Sequence, residues 1–134
     1  MVSTVVFVCP HGAGKSRIAA AWFNATPPAG WTATTAGVTP QPTVSVHAPR
    51  LLAGTPASAF LDHDRPRPLD AVPDRALVVA IDCPAPPAPG AHRWTLANGG
   101  FDAAMAEELR DRVEALPRSL TAHGGTGDPE RRDG

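Results

Sequence analysis

Two short apolar runs stand out along this chain. Residues 4–8 and 76–81 consist almost wholly of β-branched, aliphatic and aromatic residues, and a polar or proline-containing segment follows each run. Continuous runs of this kind are typical of strands buried on both faces of a parallel sheet. Residues 31–35 and 92–96 are less uniformly apolar, and they predict two further strands.

Apolar side chains recur at helical spacing in two other segments. In residues 15–24 the apolar positions lie three or four residues apart, until Pro27 and Pro28 end the segment. The second segment, residues 101–116, has charged residues on one side and an apolar stripe on the other, formed by Phe101, Met105, Leu109, Val113 and Leu116. Because these helices alternate with buried strands, the pattern predicts an α/β domain whose parallel sheet is covered by helices on both faces.

The remaining segments are less regular. Residues 44–53 predict a short helix despite Pro49, and the proline-rich stretch 54–73 predicts mostly loop. The end of the chain is polar and rich in glycine. We therefore expect one domain over residues 1–120 and a disordered polar tail over residues 121–134.

Composition narrows the possible functions. A chain of 134 residues suffices for one compact domain, and its formal net charge of −1 gives no electrostatic reason to bind nucleic acid or an anionic membrane. Its two cysteines, Cys9 and Cys83, are too few for a disulfide framework or a structural zinc site. No apolar run reaches the length of a signal-peptide core or a membrane span. These features predict a cytoplasmic protein without a cofactor.

The segment between the first strand and the first helix carries the candidate chemistry. Cys9 stands at its start. The loop that follows consists of Pro10, His11, Gly12, Ala13 and Gly14. A glycine-containing loop before a helix presents main-chain N–H groups and the positive end of the helix dipole to an oxyanion. The same field favours a thiolate, so Cys9 is predicted to be a nucleophile rather than an inert strand-end cysteine.

This segment resembles the phosphate loop and first helix of the low-molecular-weight protein tyrosine phosphatases and the related thioredoxin-coupled arsenate reductases. In those families a strand ends in a Cys-x5-Arg-Ser loop. The resemblance implies that Cys9 is the nucleophile, that Ser16 hydrogen-bonds its thiolate, and that the loop binds a phosphate-like oxyanion or a phosphorylated substrate. Gly12 stands where the families have a left-handed asparagine. The resemblance fits a single three-layer domain with a four-stranded parallel sheet in the flavodoxin-like order 2-1-3-4.

The resemblance to these families extends to residues 35–37, 77–81 and 94–98. Two positions depart from the family pattern. Lys15 stands where the families have an arginine that binds phosphate with a bidentate fork. It is the single lysine of the chain. Asn98 replaces the aspartate that protonates the leaving group. Asp102 either substitutes for that aspartate or begins the last helix. The departures weaken the case for ordinary tyrosine phosphatase activity.

Two other functions fit the same residues. Residues 9–16 match the Walker A pattern Gly-x4-Gly-Lys-Ser except at its first glycine, and Asp82 follows an apolar strand as in a Walker B motif. This pattern is typical of a nucleotide-binding, kinase-like protein. The changes at Lys15 and Asn98 instead favour a superfamily member that binds phosphate or a phosphorylated protein without catalysis.

The other polar residues are weaker candidates. Cys83 follows the third core strand, close to where the arsenate reductases have a cysteine that attacks the nucleophile's adduct, and it is a possible redox partner of Cys9. The further relay cysteine is absent. The Asp-His-Asp segment at residues 62–64 has metal-ligand residue types, but adjacent residues in an irregular segment rarely converge on one ion, and we predict no metal site. Arg65 and Arg67 are candidates for steering an anionic substrate.

Overall fold

The protein is described by a computed structural model over residues 3–12, 14–43, 45–68, 76–83, 92–97 and 100–124, with side chains to residue 116 in the last segment. The strands form one parallel sheet in the order β2-β1-β3-β4. This confirms the predicted α/β fold and sheet order. The elements in chain order are β1 (Ser3–Cys9), α1 (Lys15–Ala25), β2 (Trp31–Gly37), α2 (Ala48–Leu52), a 3-10 helix (Pro56–Phe60), β3 (Leu77–Ile81), β4 (His92–Trp94) and α3 (Ala103–Gly124).

Strand β1 lies inside the sheet, between β2 and β3. Its side chains alternate between two apolar clusters: Val5, Phe7 and Cys9 belong to one, and Val6 and Val8 to the other. Burial on both faces explains why its sequence is a continuous apolar run. Each buried Val or Phe side chain contributes about 1.5–3 kcal/mol to stability, so this strand anchors the loop that follows it.

The described helices pack on the sheet face that carries Val5 and Phe7. Their buried apolar residues include Ile18 and Phe23 of α1, Leu52 of α2, and Met105, Leu109, Val113 and Leu116 of α3. No described helical residue belongs to the cluster around Val6 and Val8. None of the described helices is long and apolar enough to cross a membrane.

Prolines explain two differences from the sequence-based expectation. The helix predicted over residues 44–53 is confined to Ala48–Leu52, with Pro49 in its first turn, where the missing N–H would have had no intrahelical acceptor. The stretch 54–73, predicted as mostly loop, contains the 3-10 helix, which also has a proline in its first turn. Helix α3 continues to Gly124, past the boundary predicted for the tail, and residues 125–134 lie outside the described part of the chain.

The loop after β1 packs against the end of β2 through two glycines. Gly12 has a φ of +65°, in the left-handed region. A Cβ on Gly37 would lie 2.6 Å from the backbone nitrogen of Gly12, and a Cβ on Gly12 would lie 2.8 Å from the backbone nitrogen of Gly37. The two backbones therefore approach more closely than any pair of side-chain-bearing residues allows.

A Gly37→Ala substitution is expected to lower the free energy of unfolding by about 3 kcal/mol, because the new methyl group overlaps backbone atoms of the loop. Gly54→Ala is the matched control. The space beside Gly54 is open and only its φ of +80° is strained, so we expect a loss of about 1 kcal/mol. Urea unfolding of both variants measures the difference, and equal losses would contradict the close packing of Gly12 on Gly37.

Candidate functional site

The loop between β1 and α1 is held from outside through its carbonyl groups. Carbonyls of residues 9–11 accept hydrogen bonds from the segment that follows β2, and Gly12 O accepts one from Arg17 Nε at 2.9 Å. The bonds to the segment after β2 are Val38 N–H to Cys9 O (3.1 Å), Thr39 N–H to Pro10 O (2.8 Å) and Gln41 N–H to His11 O (3.3 Å). By contrast, the N–H groups of His11, Gly12 and Gly14 have no acceptor among the described residues.

Helix α1 adds further free donors. It begins at Lys15 after Gly14 at the N-cap position, with no side-chain capping bond and no acidic residue in its first turn. The N–H groups of Arg17 and Ile18 donate to Gly14 O, which leaves those of Lys15 and Ser16 without an intrahelical acceptor, and the helix dipole places partial positive charge there. The loop and the helix start therefore form an arrangement suited to binding an anion, and no carboxylate of the described residues lines the cleft beside it.

Cys9 lies at the start of this arrangement, beside a hydroxyl group. Its side chain is 3% exposed, and its Sγ lies 3.1 Å from the Oγ of the fully buried Ser16. A hydroxyl at this distance donates a hydrogen bond to a thiolate and stabilises the ionised form. The structure thus brings together the two side chains that the Cys-x5-Arg-Ser pattern pairs.

Lys15 is bound to a carboxylate. Its Nζ lies 2.6 Å from Asp82 Oδ2, and the two side chains are 18% and 21% exposed. Asp82 follows β3 with a left-handed φ of +52°, and its Oδ1 accepts the N–H of Leu96 at 2.8 Å. Asp82 therefore connects the loop, β3 and the segment after β4. It also offsets part of the positive charge that Lys15 presents to an anion.

A cleft of about 550 Å³ opens beside the loop. The ring of Phe101 lies against the loop: a Cβ on Gly14 would be 2.8 Å from it. His11 lines the cleft but its Nδ1 lies 3.2 Å from Thr39 O. The residues that line the described cleft include no carboxylate. They are Cys9, Pro10, His11, Gly14, Lys15, Gln41, Thr43, Ser45, Val46, His47 and Phe101.

Arg17, which was not predicted from the sequence, is the largest fully buried side chain in the described part of the chain. Its Nη1 donates to Asp62 O at 2.7 Å, and its Nη2 is buried without a partner among the described residues. Burial lowers the pKa of this guanidinium, and the charge of Asp62 opposes that change. Its spacing from Ala20 and Ala21, which are also buried, was a signal that it lies on the inner face of α1.

The Asp-His-Asp segment binds arginine. Asp62 Oδ2 lies 2.8 Å from Arg67 Nη2, and Arg67 Nη1 donates to Thr35 Oγ1 at 3.2 Å. Burial raises the pKa of Asp62, but the bonds from Asp64 N–H and Arg67, with the charges of Arg67 and Arg17, outweigh it and hold the pKa below its usual value. In the described ranges, no group of three or more His, Cys, Asp or Glu side chains is placed to hold a metal ion.

The other predicted site residues lie apart from the loop. Cys83 belongs to the cluster on the opposite sheet face, where its Sγ donates to Val8 O at 3.6 Å. Burial raises the pKa of the Cys83 thiol, and the nearby charge of Cys9 adds to the effect. Asp102 Oδ1 accepts the N–H of Met105 at 2.9 Å and so caps α3. Ala13 and Asn98 lie outside the described residues.

No protein-family model matches this chain, and no curated protein does. Solved structures are similar to most of it. The thioredoxin-dependent arsenate reductase of Corynebacterium glutamicum is 26% identical with a TM-score of 0.69 over 90% of this chain, which spans only 63% of that protein. The arsenate reductase of Archaeoglobus fulgidus is 30% identical with a TM-score of 0.64, covering 89% of this chain and 99% of its own. The low molecular weight protein tyrosine phosphatase from T. tengcongensis is 22% identical with a TM-score of 0.66, covering 88% and 99%.

The free energy of unfolding is expected to fall as the pH rises above about 8.5, the ordinary pKa of a cysteine thiol. Above that pH the unfolded chain releases the Cys83 proton, whereas the folded chain retains it because burial raises its pKa. Cys83→Ala should reduce the loss of stability between pH 7 and pH 9.5, as measured by urea unfolding. An identical loss in both proteins would contradict the burial of this thiol.

Proposed function

This chain belongs to the superfamily of the low-molecular-weight protein tyrosine phosphatases and arsenate reductases, and we propose that it is a cysteine-dependent hydrolase of phosphomonoesters. Cys9 is the proposed nucleophile, Ser16 stabilises its thiolate, and Lys15 contributes charge. The observation that carries the proposal is the Cys9–Ser16 contact of 3.1 Å at the base of a loop with free N–H groups.

In the proposed reaction the Cys9 thiolate attacks the phosphorus atom of the substrate. A sulfur–phosphorus bond forms while the bond to the leaving oxygen breaks and its electron pair stays on that oxygen. The N–H groups of the loop and the start of α1 bind the non-bridging oxygens, where negative charge is held in the transition state. Water then attacks the phosphorus atom, which releases phosphate and restores the thiolate.

The leaving group limits the range of substrates. The described lining of the cleft contains no carboxylate, and Asp102 is engaged as the cap of α3. Asn98 stands where the related enzymes have their acid. Since general acid catalysis contributes about 10²- to 10⁴-fold, esters of strongly basic alcohols are poor substrates. The favoured substrates are phosphomonoesters, such as nitrophenyl phosphate, whose leaving groups depart without a proton.

Arsenate reduction through an internal disulfide is less well supported. That route requires a second thiol to attack the sulfur of the nucleophile. The sequence has one other cysteine, and Cys83 is buried in the cluster on the opposite face of the sheet. The Lys15–Asp82 pair and the lack of a carboxylate in the described cleft favour, as a second candidate, a protein that binds phosphate without turnover.

Phosphate or vanadate is expected to protect Cys9 from alkylation by iodoacetamide, because the anion occupies the loop next to the sulfur. Mass spectrometry locates the label, and Cys83→Ala is the control in which all labelling must be at Cys9. Mg-ATP should neither protect Cys9 nor raise the Tm. Tight Mg-ATP binding that is lost in Asp82→Ala would support the kinase-like alternative and contradict the proposal.

Lys15→Arg together with Asn98→Asp is expected to raise kcat/KM for aryl phosphates well above the value of the natural protein. Arginine at position 15 should raise kcat/KM for nitrophenyl phosphate and for plain phenyl phosphate by similar factors, because its charge acts on the phosphoryl group that both substrates share. Aspartate at position 98 should act mainly on phenyl phosphate, whose leaving group needs a proton, by about 10²-fold or more. The two single variants and the double variant separate these effects. A folded double variant that still lacks activity but binds phosphate would support binding without turnover.

A further inference from the structure

We propose that Arg17 is a positioning residue of the anion site. It holds the loop in its binding form from the buried side, and it supplies positive charge to the Cys9 thiolate and to a bound oxyanion. This inference rests on the proposed function, because it assigns another residue to the same loop. It gives a role to a buried, incompletely paired cation that the reaction above does not use.

Arg17 contacts the loop directly. Arg17 Nε donates to Gly12 O at 2.9 Å, and Gly12 is the left-handed residue of the loop. A backbone carbonyl that a buried side chain binds is fixed in orientation and needs no other donor. The bond from Arg17 therefore holds the left-handed turn at Gly12 in place, and the N–H groups that an anion would accept from belong to this turn.

Arg17 belongs to a group of ion pairs that also contains Arg67. Arg17 and Arg67 share the carboxylate of Asp62, which lies 2.8 Å from Arg67 Nη2 and 3.5 Å from Arg17 Nη1. The only other carboxylate bound to this group in the described residues is Asp64, which is 81% exposed. The two guanidinium groups thus share one partly buried carboxylate and one exposed carboxylate, so the charge of the buried Arg17, which contacts the loop at Gly12 O, is incompletely offset.

Arg17 also carries a buried hydrogen-bond donor, Nη2, that no described residue accepts from. Arg17 is 1% exposed, and its Nη2 is buried without a partner in the described part of the chain. A buried charged donor without an acceptor is costly, so its retention requires a compensating negative group. Lys15 does not offer the same support, since Asp82 offsets its charge at 2.6 Å. The thiolate of Cys9 and the bound oxyanion are the negative groups that the proposed function places nearby.

Three variants and a control test the proposal. Arg17→Met removes the charge, Arg17→Lys keeps it but loses the fork, and Asp62→Asn removes the carboxylate while leaving Arg17. Arg50→Met, at an exposed position of α2, is the control. Each protein is checked for folding by circular dichroism. Two values are then measured with iodoacetamide: the phosphate concentration that half-protects Cys9, and the pH at which its alkylation reaches half its maximal rate.

Arg17→Met is expected to raise the half-protecting phosphate concentration about tenfold and to move the alkylation midpoint to higher pH. Arg17→Lys should weaken phosphate protection about threefold with little change in the midpoint. Asp62→Asn should shift both values in the opposite direction, because it leaves the positive charge of Arg17 less compensated. Arg50→Met should change neither value.

The opposite directions of the changes in Arg17→Met and Asp62→Asn distinguish a residue that positions the loop from one that only anchors residues 61–68. If Arg17→Met and Asp62→Asn weaken phosphate protection alike, Arg17 only fastens residues 61–68 to the core and the proposal is overturned. If Arg17→Met does not fold, the phosphate protection of Arg17→Lys is compared with that of Asp62→Asn. Changes in opposite directions support the proposal, and changes in the same direction overturn it. If phosphate does not protect Cys9 in the natural protein, the proposed function fails. If it protects the natural protein and Arg17→Met equally, only the role of Arg17 fails.

Discussion

The anion site depends on one constraint: the carbonyl groups of its loop must be satisfied from outside, so that the N–H groups remain for a ligand. The segment after β2 meets this constraint with three main-chain donors. It reaches the loop because β2 lies next to β1 and because Gly12 and Gly37 leave room for their backbones to touch. The sheet order therefore determines which segment binds the carbonyl groups of the loop.

Two charged side chains complete the support from other directions. Asp82 binds Lys15 at the end of β3, and Arg17 contacts Gly12 O from the core. Both arrangements carry a cost, because Asp82 adopts a left-handed φ and Arg17 is buried with a nitrogen that has no partner among the described residues. The continuous apolar strand β1 and the helices packed on it supply the stability that offsets such costs.

The parts of the fold that burial determines were predictable from the sequence. Strands β1 and β3 are continuous apolar runs and α1 follows a clear helical period, so their positions and that of the loop at Cys9 agree with expectation, whereas the sheet order was implied by the family resemblance. Arg17 was not predicted, because a charged residue on an amphipathic helix is usually solvent-exposed, and its spacing from Ala20 and Ala21 was only a weak signal against that expectation. The Lys15–Asp82 pair joins residues 67 positions apart, and no local pattern encodes that distance. The proline-rich stretch 54–73 was predicted as mostly loop, although a proline in the first turn is compatible with the 3-10 helix found there.

The ring of Phe101 occupies the space that a side chain at position 14 would need, so these two positions share one volume at the edge of the cleft. Related sequences should exchange bulk between them, with a small side chain at position 14 accompanied by a smaller residue at position 101. Residue 101 precedes α3 and lies outside the sheet, but Phe101 also packs against the apolar cluster that contains Val5 and Phe7, so such an exchange alters the width of the cleft and the edge of that cluster together. This pair therefore offers an evolutionary route to clefts of different width beside an unchanged loop.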